Sequence, residues 1–114
     1  RQIVILARCI VQDSPVMLMD EPDSALDFLN RHMVLSKIRE LIKEENKAGL
    51  ITLHDPNFAM AYCDRLLLLK EGRLVGELDM RRAKADEVKK KLSLIYGDIE
   101  LLQSGDSFLM GKAL

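Results

Sequence analysis

A short apolar run that ends in two adjacent acidic residues constrains this chain more than any other feature of its sequence. Val16–Met19 is entirely apolar, Asp20 and Glu21 follow at once, and prolines at positions 15 and 22 limit the run to the length of a strand. A fully apolar strand is typical of the interior of a parallel sheet. Such a strand delivers its last residues to the carboxyl edge of the sheet, where α/β proteins bind ligands.

Asp20 and Glu21 can serve different chemistry, because neighbouring side chains of an extended chain point to opposite faces. One carboxylate can hold a hard cation such as Mg2+, which takes oxygen ligands and keeps several waters. The other can reach a water molecule and accept its proton. The alternative interpretation is a strand end whose acidic side chains only cap the next loop, and local chemistry leaves both interpretations open.

Several landmarks, in one order along the chain, resemble the motifs of ATP-binding-cassette (ABC) ATPases. Val16–Glu21 resembles the Walker B strand, and Ser24–Asp27 resembles the D-loop that follows it. Leu50–Asp55 resembles the strand and switch histidine of the H-loop, and Arg1–Arg8 resembles the helix that begins inside the signature motif. The resemblance covers nearly the whole chain.

His54 is the switch histidine that this resemblance implies. Its place after a second parallel strand would bring it beside the end of the Asp20–Glu21 strand, although a histidine at a strand end can also be purely structural. Asp55–Ala59 and Tyr62–Arg65 resemble the importers of siderophores, haem or cobalamin within the ABC family, with Pro56 where a leucine is expected.

The implied fold class is α/β, a partial P-loop NTPase (ABC ATPase) fold whose parallel sheet is flanked by helices and lacks the Walker A strand. Residues 1–114 are expected to form the C-terminal fragment of a single nucleotide-binding domain, because the chain opens on Arg1 inside a helical pattern. That fragment would contain the signature-helix remainder, Walker B, the D-loop, the H-loop, and a C-terminal hairpin and helix.

Hydrophobic patterning places the individual elements. Gln2–Val11 is almost continuously apolar and precedes a breaker at positions 13–15, so it is predicted to be the buried signature helix. Further helices are predicted from Asp27 to about Glu45, from Asp55-Pro56 onward, and from Asp86 to Gly97. Strands are predicted over Leu50–Leu53, Leu66–Leu69 and Leu74–Leu78, the last two as an antiparallel hairpin.

The implied P-loop fold also predicts a gap in the sheet, since its Walker A strand lies in the middle. In this chain the gap would fall between Leu50–Leu53 and Leu66–Leu69. We therefore expect Val16–Met19 to pair in parallel with Leu50–Leu53. Leu66–Leu69 should pair with Leu74–Leu78 but not directly with Leu50–Leu53. Unpaired strand edges would make the isolated chain only marginally stable as a monomer.

The sequence lacks the phosphate-binding part of an ATPase site. A Walker A loop reads G-x-x-x-x-G-K-[ST], and its backbone amides and lysine cradle the phosphates. The near match Gly105–Ala113 has one residue too many between its glycines, lacks the hydroxyl that ligates Mg2+, and follows the Walker B strand instead of preceding it. The Q-loop glutamine and the rest of the signature motif are also absent. The chain alone is expected to bind ATP·Mg weakly or not at all and to hydrolyse none.

The resemblance implies roles for five residues in a site shared by two ATPase subunits, which clamp two ATP molecules head to tail. Asp20 would hold Mg2+, and Glu21 would polarise the attacking water. His54 would contact the γ-phosphate and tie it to the partner's D-loop. Ser24 and Asp27, with Asp20, are the expected cofactor-binding residues, the first two at the dimer interface.

ATP and Mg2+ are accordingly the expected cofactors, in an ATP-hydrolysing subunit that powers an importer. The expected partners are a second ATPase subunit and transmembrane permease subunits, and the expected location is cytoplasmic, on the inner face of the cell membrane. Two other functions stay open. One is a non-hydrolysing fragment that only dimerises, and the other is an ABC-type ATPase of DNA repair or translation.

Composition helps to choose among these possible functions. Charged residues make up 31% of the chain and hydrophobic residues 48%, which indicates a globular protein and not a disordered one. The net charge of -1 gives no general reason to expect a nucleic-acid partner, which disfavours the DNA-repair alternative. Cys9 and Cys63 show neither paired nor metal-site spacing, so both are expected to be small buried thiols.

Overall fold

The computed structural model describes residues 2–8, 16–22, 24–45 and 47–113. Within these ranges the chain forms a five-stranded sheet, a separate two-stranded hairpin and three helices. The strands are β1 (Gln2–Arg8), β2 (Val16–Asp20), β3 (Ala48–Leu53), β4 (Arg65–Lys70), β5 (Arg73–Asp79), β6 (Ile99–Ser104) and β7 (Ser107–Lys112). The helices are α1 (Phe28–Glu44), α2 (Pro56–Tyr62) and α3 (Ala85–Tyr96).

The order of strands in the larger sheet is β2-β3-β1-β4-β5. β2 and β3 pair in parallel, as predicted, with Val16 opposite Ala48 and Asp20 opposite Thr52. β4 and β5 form the predicted antiparallel hairpin. β3 and β4 are not neighbours, which confirms the expected break between the H-loop strand and the strand after it.

β1 fills that break, so the prediction of a helix over Gln2–Val11 is wrong for Gln2–Arg8. Residues 9–15 lie outside the described residues. β1 pairs antiparallel with both β3 and β4. Its Ile3-Val4-Ile5 run is β-branched and therefore favours a strand over a helix. The two flanking strands also offer rows of backbone N–H and C=O groups that need partners. The sheet is consequently mixed, where a parallel sheet was expected.

The hydrophobic core lies on one face of this mixed sheet. Alternate residues of three strands point into it, as the two-residue period of a strand requires. These buried strand residues are Ile51, Leu53, Leu66, Leu68 and Leu78, and the three helices contribute Leu35, Phe58, Ala59, Val88, Leu92 and Ile95. On the other face Val16 and Leu18 are 62% and 73% exposed. The described helices thus cover a single face of the sheet. A fully apolar strand such as β2 instead predicts a sheet that is covered on both faces.

Aspartate caps begin two of the helices, as predicted. Asp27 Oδ1 accepts a hydrogen bond from the Asn30 N–H at 2.9 Å, and Asp55 Oδ1 accepts one from the Asn57 N–H at 2.8 Å. α3 ends at Gly97, whose φ of 74° is readily adopted by a residue without Cβ. Within the described ranges, no helix has the length and apolar character needed to cross a membrane.

The C-terminal hairpin of β6 and β7 packs on the core through Ile99 and Phe108, and one side chain also hydrogen-bonds it to the start of α2. Asn57 Nδ2 donates to the Met110 carbonyl at 3.0 Å, and Asn57 Oδ1 accepts from the Met110 N–H at 2.6 Å. The side-chain amide therefore satisfies both backbone groups of Met110.

Cys63 lines a small apolar cavity of about 30 Å³ between α1 and the sheet, together with Leu35 and Ile42. Burial raises the pKa of its thiol to about 12, against a smaller opposing effect of the Arg39 charge. The thiol therefore stays protonated at neutral pH, although Cys63 is half-buried, where a buried cysteine was expected. Cys9 lies outside the described residues.

Gly49 marks the place where α1 packs tightly against β3. A Cβ added to Gly49 would stand 2.4 Å from Ile42 Cδ1, which belongs to a buried side chain. Gly49→Ala is expected to lower the free energy of unfolding by about 1 kcal/mol, the low end of the overpacking range, because the adjoining cavity leaves the Ile42 side chain room to shift; urea denaturation measures the change. Gly111→Ala is the matched control in β7, where an added Cβ meets nothing within 4 Å. Its unfolding midpoint should stay near that of the parent. Equal midpoints for the two variants would contradict this tight packing.

Candidate functional site

The ends of β2 and β3 bring three of the predicted site residues to one edge of the sheet. Asp20 lies opposite Thr52 in the parallel ladder, and His54 directly follows the last residue of β3. His54 Nε2 contacts Glu21 Oε1. The structure therefore places His54 beside the end of the Asp20–Glu21 strand, as expected from the sequence.

Glu21 turns away from the strand at this edge. Its φ of 46° lies in the left-handed region, which side chains with a Cβ seldom occupy. The Glu21 N–H donates to the Thr52 carbonyl at 3.1 Å and to Thr52 Oγ1 at 2.9 Å. These hydrogen bonds hold the unusual backbone conformation, and strained residues of this kind cluster at functional sites.

The Glu21–His54 pair combines a sheltered carboxylate with an accessible imidazole. The side chains are 20% and 41% exposed, respectively. A carboxylate has two oxygens that accept hydrogen bonds, and an imidazole has two ring nitrogens with separate partners. The Glu21–His54 contact therefore places a proton-accepting group and a hydrogen-bonding ring side by side at this edge of the sheet.

Asp20 presents an exposed carboxylate beside this pair. The Thr52 hydroxyl donates to Asp20 Oδ1 at 2.5 Å. Among the described residues, no group of three or more His, Cys, Asp or Glu side chains could hold a metal ion. A cation at Asp20 would need further oxygen ligands from water and phosphate. This donor set fits Mg2+, which proteins commonly bind through one or two carboxylates plus substrate phosphates.

Ser24 and Asp27 lie in the loop that leaves this edge. The Ser24 N–H donates to the Glu21 carbonyl at 3.2 Å, and the Asp27 carboxylate caps α1. Both residues are exposed. Their place at a subunit interface stays a prediction, because it concerns contact with a second subunit.

Thr52 escapes prediction from the sequence although it contacts both acidic residues. It is the polar member of the otherwise apolar Leu50–Leu53 run, and that interruption is the available signal. Its significance depends on the register that sets it opposite Asp20, which only the three-dimensional pairing reveals.

A second set of contacts fixes α2, the helix after His54, against α1. His32 Nδ1 and the Tyr62 hydroxyl are 2.6 Å apart, and Arg39 donates to Asp64 Oδ1 at 3.2 Å. The His32 ring also packs on Phe58 with a centroid distance of 4.4 Å. His32 is therefore a structural residue.

Known ABC transporter proteins are similar to most of this chain. The hemin import ATP-binding protein HmuV of Vibrio parahaemolyticus is 37% identical over 102 residues, which cover 85% of this chain and 38% of that protein. The phosphonates import ATP-binding protein PhnC 3 of Nostoc sp. is 34% identical over 106 residues, or 93% of this chain and 39% of that protein. The cobalamin import ATP-binding protein BtuD of Halobacterium salinarum is 39% identical over 74 residues, which cover 65% of this chain and 19% of that protein.

No protein-family model matches the chain. The chain spans less than two-fifths of the length of each of these relatives. All three are import proteins by name, and the hemin and cobalamin proteins fit the importer subfamily predicted from Asp55–Ala59 and Tyr62–Arg65. On this similarity, the homologues of this chain are ABC transporter ATP-binding proteins, which match it over most of its length.

Proposed function

We propose that this chain carries the water-activating side of the ATP site in the ATPase subunit of an ABC importer. The observation that supports this most directly is the Glu21–His54 contact beside Asp20, at the shared carboxyl edge of β2 and β3. The relatives are import ATP-binding proteins by name, which agrees with ATP as the bound nucleotide.

Glu21 is the proposed general base. Its partial burial and its contact with His54 hold the carboxylate in one place. The Glu21 carboxylate accepts a proton from the water that attacks the γ-phosphate. General-base catalysis of this kind contributes about 100- to 10,000-fold in rate. His54 orients Glu21 and contacts the γ-phosphate.

Asp20 is the proposed Mg2+ ligand. Mg2+ supplies positive charge that offsets the developing negative charge on the phosphates when it is bound. Because Thr52 engages Oδ1 of the Asp20 carboxylate, Oδ2 is the oxygen suited to the cation or to one of its waters.

Ser24 and Asp27 are proposed to face a second ATPase subunit. Both are exposed and follow Glu21 within one loop. Permease subunits are the other proposed partners, with the ATPase on the cytoplasmic face of the membrane. The names of the matched relatives mention hemin, phosphonates and cobalamin, so ATP-driven import is their shared feature. These names favour import over DNA repair or translation.

A non-hydrolysing interaction module is the second candidate, and β1 favours it. β1 occupies the position in the sheet where the family resemblance would place the Walker A strand. A chain that closes its own sheet in this way can fold without the phosphate-binding strand and still present the D-loop surface.

Phosphate release from ATP·Mg separates the two candidates. The measurement uses a hybrid in which this chain replaces the matched segment of the Vibrio parahaemolyticus hemin import protein, beside the 114-residue chain alone. We expect the hybrid to hydrolyse ATP and the chain alone to hydrolyse none, because this chain lacks a Walker A loop and the rest of the hybrid comes from an ATP-binding protein. A hybrid that binds ATP without turnover would favour the interaction module. Hydrolysis by the purified, monomeric chain would contradict both.

A further inference from the structure

We propose that Thr52 is a positioning residue for both acidic residues of the site. The Thr52 hydroxyl donates to Asp20 Oδ1 at 2.5 Å. The oxygen of that hydroxyl, Thr52 Oγ1, also accepts a hydrogen bond from the Glu21 N–H at 2.9 Å. One side chain of β3 thus fixes the carboxylate that would hold the cation and the backbone that carries the base. This inference rests on the proposed function, since it assigns Thr52 a part in the same ATP site.

The hydroxyl group suits this position because of its hydrogen-bonding capacity. A threonine hydroxyl has one proton to donate and two lone pairs to accept with. Donating that proton to Asp20 commits the hydroxyl to one orientation, in which a lone pair faces the Glu21 N–H. Serine could reproduce this arrangement, whereas valine has nearly the same shape and can make neither hydrogen bond.

The backbone of Glu21 shows why a second acceptor matters. Its φ of 46° is sparsely populated, and such a conformation persists only where the surroundings hold it. Both acceptors of the Glu21 N–H, the carbonyl oxygen and Oγ1, belong to Thr52. Removing Oγ1 leaves the carbonyl as the sole Thr52 acceptor and loosens the turn that directs Glu21 toward His54.

Thr52 also ties the spacing of the site to one strand. It lies two residues before His54, at the end of β3. The positions of Asp20, Glu21 and His54 therefore all depend on the same short stretch of β3 backbone. Thr52 itself does not contact Glu21's carboxylate through any of these hydrogen bonds, so it acts by orientation and not by proton transfer.

Hydrogen exchange in the 114-residue chain tests the positioning without any nucleotide. The variants are Thr52→Val, Thr52→Ser and, as a control for loss of an exposed hydroxyl, Ser93→Ala, which removes a hydrogen bond to the Lys89 carbonyl on α3. Thr52→Val should speed exchange of the Glu21 amide by about 2- to 10-fold relative to the amides of β4, as the loss of one hydrogen bond predicts. Thr52→Ser and Ser93→Ala should leave it near the parent rate.

Equal acceleration at Glu21 and throughout β4 would mean that Thr52→Val only destabilises the whole fold, and would overturn the inference. Equal acceleration by Thr52→Ser and Thr52→Val would also overturn it, because the methyl packing and not the hydroxyl would then be responsible.

The hybrid protein provides the second readout. Thr52→Val should lower kcat about 10- to 100-fold, as the loss of an outer contact to a metal ligand does, and should raise the Mg2+ concentration for half-maximal activity. The KM for ATP should stay within about twofold, since the phosphate-binding loop lies elsewhere, and Thr52→Ser should restore both values. A kcat and Mg2+ dependence within about twofold of the parent would overturn the inference. An inactive parent hybrid would count against the proposed function instead, and the exchange rates would then decide on Thr52.

Discussion

Glu21→Gln in the hybrid protein is expected to keep ATP binding and to lower turnover by about 100- to 10,000-fold, the usual contribution of a general base. Glutamine has the size of glutamate and can keep the contact with His54. Its amide cannot accept a proton from water at neutral pH. The measurement is kcat from phosphate release, with the Kd for ATP determined in parallel.

Glu100→Gln is the matched control for this substitution, because Glu100 is an exposed carboxylate on β6 in the C-terminal hairpin. Its turnover should equal that of the parent. If Glu21→Gln also stayed within about threefold of the parent, Glu21 would be removed from the mechanism.

His54→Ala should slow hydrolysis by the hybrid about 100-fold or more, comparable with the loss of one donor to a transition state. Its effect on stability should be small, within about 0.5 kcal/mol, because the imidazole is 41% exposed and lies at the rim of the sheet. The two measurements are kcat per folded molecule and Tm.

His32→Ala provides the opposite pattern. His32 packs on Phe58 and contacts the Tyr62 hydroxyl, so its loss should lower stability by about 1–3 kcal/mol and preserve activity per folded molecule. A sharp fall in the Tm of His54→Ala, with its activity intact, would instead make His54 a structural residue.

Local sequence patterns predict most of the strands and helices here, because each carries its own signal. Asp27 and Asp55 cap helices where a cap is expected, and β4 and β5 meet across a turn only two residues long. Gln2–Arg8 could not be placed in the same way. An apolar run of that length fits a buried helix or a buried strand, and the deciding factor is the pair of open ladders on β3 and β4, which are far along the chain.

The residues of the candidate site likewise differ in whether local sequence is enough to predict them. Asp20, Glu21 and His54 are predictable because each is a polar residue at the end of an apolar strand, and neighbouring parallel strands end at one edge. Thr52 is not, because its partners follow from the exact register between β2 and β3. Shifting that register by one residue would turn the Thr52 hydroxyl to the other face of the sheet relative to Asp20.

Asn57 gives the C-terminal hairpin a mechanical connection to the site. A primary amide offers the same donor and acceptor as a peptide group, so Asn57 behaves toward Met110 as one residue of an additional strand. It thereby blocks the outer edge of β7 at that point against pairing with another chain. Asn57 lies three residues after His54, so the hairpin is hydrogen-bonded close to the segment that carries the imidazole. The hydrogen bonds between the hairpin and Asn57 therefore restrict the start of α2, the helix that begins two residues after His54.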